Sequence, residues 1–313
     1  MSLALQVLVS GLGAGAVYGL VAIALVVVYR LTGIVYFAFG DLVGLAVFAA
    51  LLVAAGTGPV TQTNVGALRF LVAVAVGTIV CIGTSAGAYW LAVHPHVARG
   101  SVVGWIAATI AIAYAVRTSI DVFFTRPSYV FPDPLPFQDV GDGGFVSVGG
   151  ASIQVRAFFV LAVGIALALL ATVVLRRSKL GRGLRAIESD VEGAAITGIP
   201  VNGLIVAAFG LTGGLAGLAA VVAAPSAPFG VGAGSLLGVK ALLAALVVGF
   251  SSPAAGFIAG LGVGVVEAGI ANFHVAGLQL GPAYHEVLPI AFVLVFVALR
   301  ALATQGNATL RET

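Results

Sequence analysis

The run RRSKLGRGLRAIESDVEGAAITGIP (Arg176–Pro200) is a charged island between two apolar stretches, Val155–Leu175 and Val201–Ala224, each long enough to cross a bilayer. It holds five of the 14 Lys and Arg residues and three of the 11 Asp and Glu residues. Elsewhere the 313-residue chain is nearly uncharged: 8% of it is charged and 61% hydrophobic. A soluble domain carries about 25% charged residues, so this chain lacks the means to cover a water-facing surface. Its solvent is lipid. The apolar runs are continuous rather than alternating, which excludes a transmembrane β-barrel and leaves an all-α polytopic membrane protein. A connecting loop that concentrates the charge of such a protein is the natural place to meet something soluble.

Working outward, the strong membrane-spanning candidates are Gln6–Tyr29, Phe37–Ala55, Phe70–Val93, Trp105–Ile120, Val155–Leu175, Val201–Ala224, Ala254–Ile270 and Leu288–Ala303. A ninth, Val239–Phe250, is too short to span comfortably and follows the Pro/Gly-rich piece Pro225–Gly238. The expectation is therefore eight or nine transmembrane helices with a broken or short helix near 225–250. No Lys or Arg precedes the first run and no small-residue cleavage pattern follows it, so it reads as a retained helix rather than a signal peptide. The basic cluster Arg176–Arg185 fixes orientation by the positive-inside rule. Counting back puts the N-terminus outside and Arg30 and Arg99 on cytoplasmic turns. The Pro/Gly-rich loop Asp121–Gln154 then lies outside, with a small hairpin expected from Phe145–Val148 and Ala151–Val155 around Gly149-Gly150. Forward, crossing by Val239–Phe250 puts the C-terminal tail, with Arg300 and Arg311, in the cytoplasm; a re-entrant dip puts it outside. The positive-inside rule favours crossing.

The 43 glycines are about twice the usual frequency of ~7%. Their four-residue spacings (Gly83/Gly87, Gly210/Gly214, Gly213/Gly217, Gly256/Gly260/Gly264) predict close helix contacts. No clear internal repeat is legible. The single cysteine, Cys81, excludes an internal disulfide. The net charge of +3 fits basic loops near anionic headgroups and does not imply nucleic acid. His94, His96, His274 and His285 show no metal-ligand spacing beyond His94-x-His96, and no catalytic constellation can be named. Neither Lys179 nor Lys240 sits in a phosphate-cradling loop, so any ATP is handled by another subunit.

Ionisable groups inside apolar runs are candidates for a solute pathway because burying charge is costly. Asp41 opens the second run near the expected cytoplasmic interface, where it also suits a helix N-terminus. Lys240 opens the short segment, and Glu267 lies near the outer end of its helix; the two can pair, line a pathway or snorkel. Within the loop, Leu184, Ile187, Val191 and Ala194 follow a helical stripe, with Arg182, Arg185, Glu188, Ser189 and Glu192 on the other faces. Arg185 and Glu188 are spaced to pair at i, i+3, and Gly198 and Pro200 end the helix. Two readings stand: an interfacial helix of ordinary topology, or a docking helix for a soluble partner.

The segment Leu180–Val222 resembles the cytoplasmic loop and following helix of the branched-chain amino acid ABC importer permeases, through Gly181-Arg182 before Arg185-Ala186, acid near Asp190 and Ala194–Ile199. Val17–Leu45 and Gly238–Ala268 are similar to further parts of that family, the latter followed by a closing helix after Tyr284. The resemblance implies one permease domain over residues 1–313 in the inner membrane of a prokaryote, with 121–154 as extracytoplasmic loop and 176–200 as cytoplasmic coupling loop. It also implies two cytoplasmic ABC ATPase subunits, a second permease subunit (related or identical), and an extracytoplasmic solute-binding protein. Arg182, Arg185, Ile187, Glu188, Asp190, Val191 and Glu192 would then couple to the ATPase, and Tyr36, Phe39, Asp41, Lys240 and Glu267 are pathway candidates. The family's usual Asn-Phe-Ala-His/Gln-Gly-acid is here Tyr36-Phe37-Ala38-Phe39-Gly40-Asp41, which points to a different or less polar solute. The segment Ser251-Ser252-Pro253 also stands where the family often has a Gly-rich turn. The rival reading is a self-sufficient secondary transporter or channel using Asp41, Lys240 and Glu267 as coupling groups.

Overall fold

A computed structural model describes residues 2–57, 65–97, 102–133, 144–148 and 151–272, together with 290–291 and 294–295. The helices are α1 (Ser2–Thr32), α2 (Phe39–Ala54), α3 (Ala67–Ala88), α4 (His94–Val97), α5 (Val102–Phe123), α6 (Val155–Arg177), α7 (Lys179–Ser189), α8 (Val191–Ile196), α9 (Val201–Ala223), α10 (Ala233–Val247) and α11 (Pro253–Asn272). Six of the expected spans are long and apolar enough to cross a membrane. Of the expected closing helix Leu288–Ala303 only residues 290–291 and 294–295 are described; Arg300, Arg311, Arg99, His274 and His285 lie outside the described residues.

α1 and α9 are the buried core helices; α3, α6 and α11 pack around them and α5 lies against α2, all four with largely exposed apolar faces. Such faces suit lipid: Leu68, Ile79, Val103, Leu169 and Ile258 are all large, apolar and exposed. The C-terminal end of α1, the C-terminal end of α6, α7 and the N-terminal end of α11 meet at one end of the bundle, around Arg30, Leu175, Leu184 and Pro253. This is the basic end. At the opposite end the N-terminal half of α1 meets the start of α6 and the end of α9, around Gly13, Ala157 and Ala223.

The two shorter helices explain the fold best. α2 has 16 residues and α10 has 15, so each rises only about 22–24 Å against a hydrocarbon core of about 30 Å. Lys240 of α10 reaches the Tyr18 hydroxyl halfway along α1, at 3.5 Å, and Phe250 beyond the end of α10 stacks on Tyr29 at 4.1 Å. Lys240 is the eighth residue of α10, so α10 starts about 10 Å beyond the Tyr18 level, on the side away from the basic end, and runs to the basic end. The N-terminal halves of α2 and α10 cross near the Tyr18 level: a Cβ on Gly238 would lie 2.7 Å from the Gly40 Cα, and one on Gly234 would lie 2.8 Å from the Gly44 Cα. Phe37–Ala55, expected as a full span, is thus a half-helix entered through residues 33–38. The segment 225–250 is both broken and crossing, because α9 ends opposite the basic end and α11 begins at it.

The element contacts carry a symmetry that the sequence does not display. α1 packs on α11 as α9 packs on α3; α1 meets α10 as α9 meets α2; α1 meets α9, and α2 meets α10. α1–α3 and α9–α11 are therefore corresponding triplets, each of long helix, half-helix and long helix. Their leading helices run in opposite directions, which is the arrangement of inverted-topology repeats.

Three of the four small-residue series are borne out, Gly210/Gly214 and Gly213/Gly217 against α3 and Gly256/Gly260/Gly264 against α1, while Gly83/Gly87 is not. Gly15 and Gly11 of α1 meet the α11 backbone at Leu261 and Val265, with Cβ positions 2.7 Å from each Cα, and Gly217 meets Cys81 of α3. Gly83 and Gly87 have nothing within 4 Å of a Cβ and face open space; their spacing is repeated on a side of α3 that no described helix covers. The expected hairpin forms, with Phe145 opposite Gln154 and Val148 opposite Ala151. An Arg156–Asp133 ion pair and the Arg156 Nη2 bond to the Val222 carbonyl at 2.9 Å pin that end of α6 to α9.

Candidate coupling surface and solute route

Ser178 opens α7 as its N-cap, accepting from the Gly181 N–H at 2.9 Å. The helix is strongly amphipathic, and its apolar face turns into the protein. Leu184 and Ile187 are buried among Leu20, Val27, Leu31, Leu167 and Ala171, and Ala194 joins them. Asp190 interrupts the single expected helix: its extended backbone, φ −160° and ψ 108°, separates α7 from α8. That break alters the register, so Val191 leaves the expected apolar stripe and faces outward. Arg182, Arg185, Glu188, Asp190, Val191 and Glu192 are all exposed, and Ile196 is 86% exposed. Of the seven predicted coupling residues, Ile187 alone is buried; the other six are exposed.

The expected Arg185–Glu188 pairing does not form. Arg185 turns back to the carbonyls of Leu175 and Arg176, which end α6 and have no partner within their own helix. Glu188 instead pairs with Arg30, whose Nε donates to Glu188 Oε1 at 2.6 Å. Arg30 Nη1 also donates to the Ser251 carbonyl at 2.7 Å. One guanidinium thus ties α7, the end of α1 and the α10–α11 turn together, beside a cavity of about 200 Å³. The turn contains Gly249 and Phe250, both at positive φ (60° and 52°). For a phenylalanine that conformation costs roughly 1–2 kcal/mol, and the stack on Tyr29 holds it. Arg30 carried no signal in the sequence beyond its place on a short turn, since its partners lie 158 and 221 residues away.

The pathway candidates fall into two groups at the depth of the half-helix crossing. Asp41 is buried in the first turn of α2 and accepts a hydrogen bond from Ser235, in the first turn of α10. It was expected near the interface; the extended entry to α2 carries it to mid-depth. Tyr36 and Phe39 are buried with Phe209 and Tyr89 in an aromatic cluster, Tyr36 to Phe209 at 5.4 Å and Tyr36 to Phe39 at 6.1 Å. The Tyr36 hydroxyl is buried with no hydrogen-bond partner among the described residues. Lys240 and Glu267 do pair, Nζ to Oε1 at 2.6 Å, with Lys240 7% exposed. Next to them a cavity of about 300 Å³ opens toward the end opposite the basic end, between α1, α6, α9 and residues 226–229, and includes Tyr18 and Leu237 in its walls. The structure does not bring Tyr36 and Lys240 into one site: the first sits behind α2 against α3 and α9, the second faces α1 and α11. His94 meets Tyr89 edge-on and Trp90 at a tilt, with ring centroids 5.9 and 4.9 Å apart.

The profile of the family described as "Branched-chain amino acid transport system / permease component" matches residues 7–298. Similar proteins include the high-affinity branched-chain amino acid transport system permease protein BraD of Pseudomonas aeruginosa, 28% identical over 97% of this chain and 96% of the relative. The LivH permease proteins of Salmonella typhimurium and Escherichia coli are 26% and 25% identical, each over 96% of this chain and 94% of the relative. With a match across nearly its whole length and a polytopic helical bundle to carry it, this chain belongs to the branched-chain amino acid transport system permease family.

Proposed function

We propose that this chain moves a branched-chain or similarly small hydrophobic amino acid inward as the permease half of an ATP-driven importer. The basic end is cytoplasmic by the positive-inside rule, since Arg30, Arg176, Arg177, Lys179, Arg182 and Arg185 gather there. One of two ABC ATPase subunits docks on the exposed side of α7–α8, a second permease subunit that takes the other completes the membrane unit, and a solute-binding protein delivers from outside. The observation that carries this reading is the two-sided loop helix: Leu184 and Ile187 root it in the bundle while Val191 and Ile196 project from a charged surface. An interfacial helix of ordinary topology would put its apolar side toward lipid headgroups rather than into the protein.

The mechanism follows from what α7 holds. ATP binding moves the docked subunits, and α7 moves with them. Through Glu188 and Arg30 the displacement reaches the Ser251 turn, and thus the basic end of α10. α10 is a single rigid helix from that turn to its crossing with α2, so a tilt at one end changes the glycine contact at mid-depth. Lys240 and Glu267 sit on the two helices that the turn joins, α10 and α11, and their separation responds to the same tilt. Each nucleotide state must favour a different arrangement for the switch to work.

The test is purification of the tagged chain from its native membranes in mild detergent. A co-purifying ATPase with a phosphate-binding loop is the expected result. Ile196→Asp, at a position too exposed to affect folding, is expected to lose the ATPase and uptake together. Recovery of the chain alone, with uptake that follows an ion gradient after reconstitution, would replace this reading with a self-sufficient secondary transporter.

A further inference from the structure

α5 packs against the bundle through Thr109, Ala113, Val116 and Ile120 and leaves the rest of its surface uncovered. On that uncovered side, Tyr114, Arg117, Thr118 and Asp121 are all exposed. Their spacing is i, i+3, i+4, i+7, which is one helix face. Arg117 lies six residues before the end of α5, about 9 Å from that end at 1.5 Å per residue, within a helix long and apolar enough to cross a membrane.

This face is unsuited to lipid: a guanidinium, a carboxylate and two hydroxyl groups are costly against hydrocarbon. The irregular backbone beside it, residues 227–232, is held against protein by the paired backbones of Phe229 and Tyr129. Arg117 does not turn outward to the headgroups. Its guanidinium lies over the start of α10, 3.1 Å from where a side chain on Gly232 would begin, within electrostatic reach of Asp41. It makes no hydrogen bond or ion pair with a described residue.

We propose that the Tyr114–Arg117–Thr118–Asp121 face of α5, together with the start of α10, is a wall of the aqueous solute route, and that Arg117 is a contact for the solute's carboxylate. A guanidinium suits a carboxylate because two parallel N–H donors meet two oxygens. The route runs down this face from Asp121, past Arg117 and Gly232, to the Asp41–Ser235 contact where the half-helices cross. The carboxylate assignment rests on the amino acid importer reading above; the water-lined wall does not.

The experiment uses the assembled transporter in membranes, with Cys81, which is buried, replaced by Ala. Thr118→Cys is expected to react with a charged, membrane-impermeant thiosulfonate from outside. Ser119→Cys, exposed and turned 100° from Thr118 and farther still from Arg117, is expected to stay unreactive against lipid. An unreactive Thr118→Cys that cross-links to a second permease subunit would show packing instead of water, and equal failure of both positions would place the face in lipid; either overturns the wall. For the carboxylate, Arg117→Gln is expected to raise the KM for leucine uptake by about tenfold or more with kcat nearly kept, and Arg117→Lys to restore part of it. An unchanged KM with Thr118→Cys still reactive would remove Arg117 from solute binding and leave the wall standing. Loss of kcat alone would make Arg117 a structural group. If the wild-type transporter takes up no amino acid, the importer reading fails by itself while the labelling result still decides the wall.

Discussion

Lys240 and Glu267 are an ion pair held at membrane depth, with side chains 9% and 22% exposed. A charge there is tolerated because its partner is 2.6 Å away and the Tyr18 ring offers its face 5.4 Å from the ammonium. Removing one member of a buried pair costs about 3–5 kcal/mol, whereas replacing both by apolar groups is close to neutral. Glu267→Gln should therefore lower the thermal midpoint of the purified protein more than the double change Lys240→Met with Glu267→Leu. A double variant no more stable than Glu267→Gln would mean that the two charges do not compensate one another. Arg30 is different in kind. Its pair with Glu188 is about one third exposed, and surface pairs contribute roughly 0–1 kcal/mol, so its importance lies in joining three segments rather than in stability.

At the scale of elements, the crossing of α2 and α10 depends on backbone approaching backbone. Gly40 and Gly44 on one helix and Gly234 and Gly238 on the other leave no room for a methyl group between them. In lipid, where no hydrophobic drive pushes helices together, such contact is a main source of association. Gly238→Ala should therefore destabilise the purified protein and reduce uptake. Gly83→Ala, at a helix position facing open space, should be neutral or stabilising by up to about 1 kcal/mol, the difference in helix propensity. Equal thermal midpoints for the two variants would argue that the half-helices do not touch as described. α7 shows a related dependence on neighbours. Its helical stripe was visible as Leu184, Ile187, Val191 and Ala194, but the break at Asp190, which sends Val191 outward, was not.

For the molecule as a whole, the two ends of the bundle differ in charge, and this decides its orientation. With Cys81 replaced by Ala, Ile196→Cys should react with an impermeant maleimide only in inside-out vesicles. Phe145→Cys, on the hairpin at the other end, should react only in right-side-out cells. The reverse pattern would invert the whole assignment and remove α7–α8 from the ATPases. The short helices also give the molecule its working parts: two rigid segments that cross near mid-depth, one from each corresponding triplet, with ionisable groups at or near the meeting point.

The sequence by itself determined the class of protein, the six long spans, the charged loop and the family, because each rests on local composition or spacing along the chain. Lipid rewards a continuous apolar run wherever it occurs, and such runs can be counted. It left open whether 225–250 crosses, treated Phe37–Ala55 as a full span, and showed no repeat. Those questions turn on depth, and depth is set by which helix lies alongside: Lys240 beside Tyr18, Gly40 beside Gly238. The tertiary structure alone decided that Glu188 meets Arg30 instead of Arg185, that Asp41 lies at mid-depth, and that α5 carries an uncovered polar face. Each joins residues far apart in the chain, and the repeat survives as a pattern of helix contacts because packing constrains backbone approach and small size more tightly than residue identity.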